Sequence, residues 1–308
     1  AGQIGSELVP YLRSIYGNDN VVACGHNKPL PEDIAKSGPI DYVDVRNARA
    51  FAEVVKKHNV NVVYHLAAIL SAAGERNPQL AWDINMNGLY NVLEVAREFK
   101  LAVFIPSSIA AFGPNTPKVK TPQDTIQRPT SIYGITKVAG ELLADYYYLK
   151  YGVDTRGVRY PGIISYVTPP GGGTTDYAVE IFYEAILHKR YKCFLREDTM
   201  LDMMYMPDAL KAAVQLMEAD PSKLKHRNAF NVTAFSFNPK MLAEEINKHV
   251  PDFVMEYEID PVRQAIADSW PDSLDDSCAR EEWGWKPDYD FSSMVKDMIE
   301  KLSQKLLK

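Results

Sequence analysis

Val60-Asn61-Val62-Val63-Tyr64-His65-Leu66 is a short run of β-branched and aromatic residues between two helical patterns, at residues 48–58 and 78–99. Similar β-rich runs occur at 21–24, 42–43, 101–105 and 155–159, and further helical patterns occur at 6–16 and 131–151. Strands that alternate with amphipathic helices are typical of a parallel sheet covered by helices on both faces. The sequence therefore predicts an α/β protein with a Rossmann-type, doubly wound parallel sheet.

The alternation ends near residue 161. A glycine-rich loop at 171–173 follows, and the later helical patterns lie at 177–188, 207–219, 239–249 and 291–307. We expect a Rossmann domain at residues 1–162 and a smaller mixed α/β lobe at residues 163–308, with some later segments returning to the first domain. No internal repeat or low-complexity linker is visible, which predicts that the two parts pack closely.

Composition and charge restrict the function. The chain has 308 residues, 46% of them apolar, and a formal net charge of -6. Scattered lysine and arginine in an acidic chain disfavour nucleic-acid binding, and no apolar run approaches the roughly 18 residues of a membrane span. Cys24, Cys193 and Cys278 lie outside any CxxC pair, so neither a disulfide framework nor a metal site is predicted. We expect an intracellular setting, in the cytoplasm or the mitochondrial matrix.

The first residues, Ala1-Gly2-Gln3-Ile4-Gly5, lead directly into a helical pattern. They resemble the end of a dinucleotide-binding fingerprint, in which backbone amides at a helix N-terminus hold a pyrophosphate. The strand and first glycine of the fingerprint are absent from the chain, and paired glycines also occur in ordinary loops. The strand and helix pattern that follows favours a cofactor site at Gly2, Gln3, Ile4 and Gly5.

Recognition of the adenosine is the unusual part of this pattern. The second strand of such a domain usually ends in an acidic residue that binds the ribose, but Gly25 stands at that position. We therefore expect His26, Asn27 or backbone groups to contact the ribose. Asp44 and Val45, at the end of the next strand, are expected to bracket the adenine, although an ordinary polar strand end remains an alternative. NAD is favoured as the cofactor, and a lysine after Asn27 leaves NADP open.

The segment Ser131-Ile132-Tyr133-Gly134-Ile135-Thr136-Lys137 sets a phenol and an ammonium one helical turn apart. To act as a base near neutral pH, the phenol needs its pKa lowered from about 10 by roughly two to three units, or about 3–4 kcal/mol. An ammonium about 4 Å away supplies roughly 4 kcal/mol at an effective dielectric of about 20. We expect Lys137, helped by an oxidised nicotinamide, to lower the Tyr133 pKa while Ser108 orients a substrate hydroxyl. Without Ser108, such a pair is more often a core edge and a solvated charge.

Together these motifs resemble the extended short-chain dehydrogenase/reductases, a superfamily that includes the nucleotide-sugar epimerases. The matching segments run along the whole chain: Gly2-Gln3-Ile4-Gly5, His65-Leu66-Ala67-Ala68, Asn85-Met86-Asn87-Gly88, Ser107-Ser108, Tyr133 with Lys137, and Arg159-Tyr160-Pro161-Gly162. The resemblance implies that Leu66, Ala67 and Ala68 lie against the cofactor. It also implies that Tyr160, Pro161 and Ile163 lie beside the nicotinamide, whose ribose Lys137 holds.

Within that superfamily the chain resembles the short-chain family of L-threonine 3-dehydrogenases. The segments behind this are Leu70-Ser71-Ala72, residues 106–110 and 112–114, the glycine block at 169–178, Met203-Met204-Tyr205-Met206 and residues 267–271. The resemblance implies NAD-dependent oxidation of L-threonine at C3 to 2-amino-3-oxobutanoate, with Tyr133 as base. It also implies a functional link to the ligase that converts this product to glycine and acetyl-CoA.

A small zwitterionic substrate also agrees with the residue types. The glycine loop offers exposed amides, and Thr174 or Thr175 would cap a helix that begins near Asp176, which together would hold a carboxylate. Ser71 is expected to bind polar groups of the substrate, and Trp270 to close the pocket. With Ser108 and Tyr133, these residues form the predicted substrate site.

Two other functions remain open from the sequence. A nucleotide-sugar epimerase or dehydratase of the same fold needs cations for a diphosphate, and a non-catalytic NAD(P)-binding regulator needs only the fold. We also expect a homodimer, because the helical patterns near 87–99 and 139–151 are apolar on more than one face and the equivalent helices of this superfamily form a four-helix interface. The alternative is that these faces only cover the sheet.

Overall fold

The computed structural model describes residues 2–171 and 173–307, so Gly172 of the predicted glycine block lies outside the described residues. The helices are α1 (Gln3–Tyr16), α2 (Glu32–Ser37), α3 (Ala48–His58), α4 (Ser71–Arg76), α5 (Pro78–Trp82), α6 (Gly88–Phe99), α7 (Ile132–Tyr151), α8 (Tyr177–His188), α9 (Met206–Glu218), α10 (Pro239–Asn247), α11 (Pro261–Asp268), α12 (Ser277–Trp283) and α13 (Phe291–Leu306). The strands are β1 (Ala23–Gly25), β2 (Ile40–Tyr42), β3 (Val62–Tyr64), β4 (Ala102–Phe104), β5 (Ser107–Ser108), β6 (Asp154–Arg156), β7 (Val158–Tyr160), β8 (Gly162–Ile164), β9 (Arg190–Cys193), β10 (Leu201–Tyr205), β11 (Phe230–Asn231), β12 (Phe235–Phe237) and β13 (Val254–Tyr257).

Parallel pairing dominates the sheets. The strand orders are β3-β4-β6 and β5-β7-β11, all parallel, and β1 pairs in parallel with β2. Later in the chain, β8 and β10 are parallel and β12 runs antiparallel to β10, while β9 pairs in parallel with β13. The predicted α/β fold with parallel strands is confirmed.

Helices cover both faces of the central strands. On one face α3, α6 and α7 pack around a cluster that includes Val92, Leu93 and Val103, and on the other α1, α9 and α12 pack around Phe104 and Phe230. A third apolar cluster, built mainly from residues after 163, also contains Ile109 and Phe112. The segment that follows Ser108 is therefore packed directly against the later part of the chain.

The run predicted as one strand at 155–159 forms two. β6 pairs with β4, whereas β7 pairs with β5 and β11, and Gly157 stands between them. The Gly157 amide donates to the carbonyl of Arg227 at 3.1 Å, and its carbonyl accepts from the amide of Phe230 at 3.0 Å. The backbone changes partners at this residue, which periodicity within the run does not reveal.

The boundary near residue 162 stays a prediction. β11, from the later part, pairs with β7, and α9 packs against α1. No helix in residues 2–171 or 173–307 is both long and apolar enough to cross a membrane.

Candidate active site

The start of α7 sets Tyr133 beside the segment that follows β5. Ser131 caps the helix, since its side chain accepts a hydrogen bond from the amide of Gly134 at 3.1 Å. A Cβ atom at Gly134 would lie 2.3 Å from the carbonyl oxygen of Ala110, so only glycine allows this approach. The helix N-terminus therefore packs closely on the turn that begins at Ser108.

Ser108 ends β5 with a half-buried hydroxyl. Its Oγ accepts a hydrogen bond from the amide of Ala110 at 3.2 Å, which leaves the hydroxyl hydrogen to donate elsewhere. Ser108 also acts as a hydrogen-bond partner of the Tyr133 phenol, an interaction that favours the phenolate. The structure thus brings together the two residues predicted to hold the substrate oxygen.

Burial dominates the electrostatics of Tyr133 in the chain without cofactor. Burial raises the pKa of Tyr133 to about 12, and the contact with Ser108 only partly opposes this. Lys137 Nζ lies 5.4 Å from the centre of the Tyr133 ring and donates to the carbonyl of Pro106 at 2.6 Å. Burial also lowers the pKa of Lys137 to about 8. In the chain without cofactor, desolvation of the phenol outweighs the lysine, and the expectation that Lys137 and an oxidised nicotinamide together lower the Tyr133 pKa stays a prediction.

The glycine motif fits a dinucleotide phosphate. Gly2 is the N-cap of α1, with no side-chain capping bond and no acidic residue in the first turn, so the first amides of the helix are left for an anion. A Cβ atom at Gly2 would meet nothing within 4 Å, whereas one at Gly5 would lie 3.6 Å from Leu66 Cδ1. The Gln3 side chain donates to the carbonyl of Ile163 at 3.5 Å. Residues from three predicted cofactor segments therefore meet at the start of α1.

Small side chains line the cleft near this point. Ala67 is exposed and Ala68 half-buried after β3, and both line a cavity whose opposite wall includes Lys137. Pro161, between β7 and β8, is buried, and Ile163, within β8, is half-buried. This arrangement offers a smooth surface on which a flat cofactor ring can lie.

Tyr160 is placed differently from the prediction. Its side chain is buried in the core, and its hydroxyl donates to the carbonyl of Ala209 at 2.6 Å. Tyr160 lies in the middle of the packed sheet face, so only its backbone can take part in a cofactor site.

The residues expected to bind the adenosine of the cofactor lie around Asp44. His26 Nε2 lies 3.3 Å from Asp44 Oδ2, and Arg46 forms a forked contact with the same carboxylate. Arg46 holds the pKa of Asp44 down to about 2, so the carboxylate is ionised at neutral pH. Asn27 is exposed beside His26, and Val45 is half-buried. The carboxylate of Asp44, which follows β2, therefore lies next to His26, the residue after Gly25 at the end of β1.

The reason for glycine at position 25 lies on the neighbouring strand. A Cβ atom at Gly25 would lie 2.7 Å from the ring of Tyr42, whose hydroxyl accepts from the amide of Leu30 at 3.3 Å. The tyrosine ring occupies the space that a side chain at position 25 would need.

The predicted substrate residues come from three segments. Ser71 begins α4, which packs against α7: the carboxylate of Glu75 accepts from the amide of Ile132 at 2.8 Å. Trp270 is buried in the cluster that Tyr133 also contacts. Thr174 is buried, and its hydroxyl has no hydrogen-bond partner among the described residues.

Among the described residues, the glycine loop lacks the threonine cap expected for a carboxylate site. The N-cap of α8 is Asp176, with no threonine hydroxyl capping the helix among the described residues. The Asp176 carboxylate accepts from the amides of Gly171 and Gly173, both at 2.7 Å. These two amides are therefore bound within the loop, because a nearby aspartate competes for them.

Two buried groups near the site were not identified as site residues from the sequence. Asn85 exchanges hydrogen bonds with the backbone of Ile69 and donates to Thr136 Oγ1 at 3.1 Å, which ties the loop after β3 to α7. Glu141, one turn beyond Lys137, accepts from Ser107 and Arg159 in the interior. A charged residue four positions after Lys137 on the same helix face was the available signal for Glu141.

Comparison with known proteins agrees with this geometry. Residues 1–233 match the NAD dependent epimerase/dehydratase family. The chain is 55% identical to an uncharacterized epimerase/dehydratase of Staphylococcus saprophyticus, over 99% of this chain and 95% of that protein.

Solved structures also resemble the chain. An L-threonine dehydrogenase from Clostridium difficile is 58% identical, with 99% of this chain and 95% of that one covered and a TM-score of 0.96. The holo form of a GalE-like L-threonine dehydrogenase from Cupriavidus necator is 50% identical, with 98% and 97% covered and a TM-score of 0.95. The chain therefore belongs to the NAD dependent epimerase/dehydratase family, within the extended short-chain dehydrogenase/reductases that its motifs resemble.

Proposed function

We propose that the chain is an NAD-dependent L-threonine 3-dehydrogenase. The observation that carries the proposal is the packing of the helix start that bears Tyr133 on the turn after Ser108. Lys137 Nζ lies 5.4 Å from the centre of the Tyr133 ring, and Gln3 of the glycine motif contacts the backbone of Ile163. The similarity to solved L-threonine dehydrogenases, up to 58% identity over nearly the whole chain, supports the choice of substrate.

The reaction removes two hydrogens from the alcohol carbon of L-threonine. Ser108 donates to the substrate oxygen, and the Tyr133 phenolate takes the hydroxyl proton. As the C–O bond becomes a carbonyl, the Cβ–H bond breaks and its electron pair leaves as hydride. A bound oxidised nicotinamide would supply the hydride acceptor and a positive charge. The product is 2-amino-3-oxobutanoate.

The Tyr133 pKa in the chain without cofactor shows how strongly the cofactor charge must favour the phenolate. Burial holds the Tyr133 pKa near 12, so the phenol is protonated in the chain alone at neutral pH. A cation close to the ring favours the phenolate by about 4 kcal/mol at 4 Å, which corresponds to roughly three pKa units. The charge of a bound oxidised cofactor would therefore lower the Tyr133 pKa part of the way towards neutrality, and Lys137, which would hold the nicotinamide ribose, would favour the phenolate further.

NAD is the preferred cofactor in this proposal. The ionised Asp44 beside His26 suits a ribose diol, which donates hydrogen bonds to a carboxylate, and repels a 2′-phosphate. Arg46 is the nearest cation, but it is already paired with Asp44 and with Asp83. Asp44→Asn should weaken NAD binding more than NADP binding, measured by fluorescence titration of the reduced cofactors.

A small substrate is preferred over a nucleotide sugar. The polar groups offered by Ser71, Ser108 and Thr174 carry no charge, and two cations near the segment that leads to Trp270 are engaged. Arg196 pairs with the carboxylate of Asp268, and Lys118 donates to the carbonyl of the same residue. A diphosphate would need free cations at this wall.

Reduction of NAD with L-threonine tests the proposal directly, against UDP-glucose and UDP-galactose under the same conditions. NADH formation with L-threonine and no conversion of the sugars is expected. Turnover of the sugars alone would establish the epimerase or dehydratase alternative. Cofactor binding without turnover of any of these compounds would favour the non-catalytic regulator.

The proposal also includes the oligomeric state, a functional link to a second enzyme and the cellular location. Tyr90 on α6 and Leu142, Tyr146 and Leu149 on α7 are exposed, with Leu149 80% accessible, which suits a homodimer through these two helices. The unstable product makes a functional link to 2-amino-3-oxobutanoate CoA ligase part of the proposal. The staphylococcal relative favours the bacterial cytoplasm over the mitochondrial matrix as its setting.

A further inference from the structure

Three metal-binding side chains converge away from the proposed reaction centre. Cys278 and Glu282 lie one turn apart on α12, and His226 faces them from the loop at 219–229, which leads into β11. One potential ligand atom from each of the three residues lies within 4.8 Å of the others. The sequence predicts no such site, because the cysteine has no CxxC partner and the histidine is far away in the chain.

The two ring nitrogens of His226 have different neighbours. Nδ1 contacts Glu282 Oε1, and Nε2 lies 3.3 Å from Asp124 Oδ2. The other oxygen of Glu282 accepts from the amides of Lys225 and His226, at 2.5 and 3.1 Å. The imidazole is therefore held between Glu282 and Asp124, and the Glu282 carboxylate is held by two backbone amides, with Cys278 within 4.8 Å of both side chains. A carboxylate that fixes the far nitrogen of a histidine is a recurring feature of protein metal sites.

The charge around Cys278 suits a cation. The carboxylates of Glu282, Asp124, Asp275 and Glu281 all lie near the thiol. Arg280, on the same helix, is turned to Asp276 at 2.7 Å. Negative charge is thus concentrated on one side of α12.

We propose that His226 Nδ1, Cys278 Sγ and Glu282 Oε1 bind a divalent transition metal of the zinc type. Nitrogen, thiolate and carboxylate donors are the set that zinc accepts, with bond lengths of about 2.0–2.3 Å. Tetrahedral bonds of that length place neighbouring ligand atoms about 3.3–3.8 Å apart. The side chains need to shift by about 1 Å to reach this geometry, and water completes the coordination.

The metal would stabilise a strained segment of backbone. Arg227 and Ala229, which follow the histidine directly, have positive φ angles of 46° and 57°. Asn228 and Ala229 line the cavity that also contains Lys137. Binding at His226 therefore fixes a loop that supports one wall of the proposed active site without contacting substrate.

Metal binding is measured on the full chain after treatment with a chelator. Dialysis against micromolar Zn²⁺ and elemental analysis should give one equivalent per chain, and Co²⁺ should produce the near-ultraviolet charge-transfer band of a cobalt–thiolate bond. Cys278→Ser should abolish the band, and His226→Gln should weaken binding at least tenfold. Cys24→Ser is the matched control, because Cys24 is an exposed thiol outside the cluster, and should change neither result.

Two further readouts separate a metal site from a hydrogen-bonded cluster. Zinc should raise the melting temperature of the original chain but not of Cys278→Ser, and affinity should fall as pH is lowered, because the thiol and imidazole must lose their protons. Circular dichroism verifies that both variants are folded. Absence of a cobalt–thiolate band, or binding that survives in both ligand variants, overturns the proposal and leaves an ordinary His226–Glu282 ion pair.

Discussion

Glu141 and Arg159 form a buried, forked ion pair one helical turn beyond Lys137. The guanidinium donates to the two carboxylate oxygens at 3.0 and 2.9 Å, and both side chains are 7% exposed. Burial lowers the Lys137 pKa to about 8, and the charge of Glu141 is the opposing influence that raises it. The pair therefore holds α7 against the sheet and also acts on the proposed reaction centre.

Glu141→Gln tests this second role. Loss of the negative charge should lower the Lys137 pKa further, so the limb of the kcat/KM profile that reports loss of the lysine proton should move to lower pH. Breaking a buried pair should also cost about 3–5 kcal/mol of unfolding free energy, measured with urea. Glu53→Gln on the exposed face of α3 is the control. A less stable variant with an unchanged pH profile would reduce Glu141 to a structural role.

Tyr133→Phe should remove the base while keeping the ring that packs on the apolar cluster. We expect turnover of L-threonine to fall by about 10²–10⁴-fold, with the dissociation constant of NAD nearly unchanged. Tyr146→Phe, on the same helix and exposed, should retain full activity. A Tyr133→Phe enzyme that keeps more than about a tenth of the rate would show that another group takes the proton.

Gly134→Ala should separate Tyr133 from Ser108, because the added Cβ would lie 2.3 Å from the Ala110 carbonyl oxygen. The start of α7 must move to relieve this contact, and activity should fall by at least about tenfold, since catalysis depends on sub-ångström placement. Gly140→Ala is the matched control on the same helix, where the added atom would meet only the flexible end of Leu89 at 3.2 Å. Equal activity in the two variants would contradict the role given to Gly134.

Asp202 should make stability depend on pH. It is fully buried between Thr233, Ser236 and the amide of Leu274, and burial raises its pKa to about 7. Between about pH 4 and pH 7 the folded carboxyl keeps a proton that the unfolded one has lost. Stability therefore falls as pH rises through this range, by up to about 4 kcal/mol, and levels off above it.

Asp202→Asn should flatten that dependence, measured by urea unfolding at several pH values from 4 to 8. Asp198→Asn, whose side chain is 77% exposed, should leave the dependence intact. If the slope were the same in the chain with and without Asp202, the carboxyl would have to be ionised in the folded state.

Leu142→Arg should weaken the proposed homodimer. Leu142 is 63% exposed on α7, and a charge there would be buried unpaired on association. Light scattering should show a shift towards the monomer mass at low micromolar concentration. Leu187→Arg on α8, 46% exposed in the same way, should not change the mass, and a chain that is already monomeric would refute the interface.

The sequence predicted the parts of the protein that depend on local pattern. The alternation of strands and helices and the spacing of Tyr133 and Lys137 both reflect interactions within a few residues. The burial of a side chain by distant segments could not be predicted from local sequence pattern. The sequence did not show that the Tyr160 side chain lies in the core, or that burial raises the Tyr133 pKa in the chain without cofactor.

Contacts between distant segments were also invisible. Tyr42 on β2 fills the space beside Gly25, and Asp44, two residues after that strand, lies 3.3 Å from His26. In the glycine loop, Asp176 takes the amides that the sequence assigned to a substrate carboxylate. In each case the competing group lies on a segment whose position only the fold determines.

Asn85 connects the loop after β3 to the helix that carries Tyr133 and Lys137. It lies in the π-helical segment Asp83–Asn87 between α5 and α6, and its amide joins the backbone of Ile69 to Thr136, the residue before Lys137. A shift of the loop that lines the cofactor cleft is therefore transmitted to the helix that carries the proton-transfer residues. We expect that a cofactor which displaces this loop would also move the residues proposed for proton transfer.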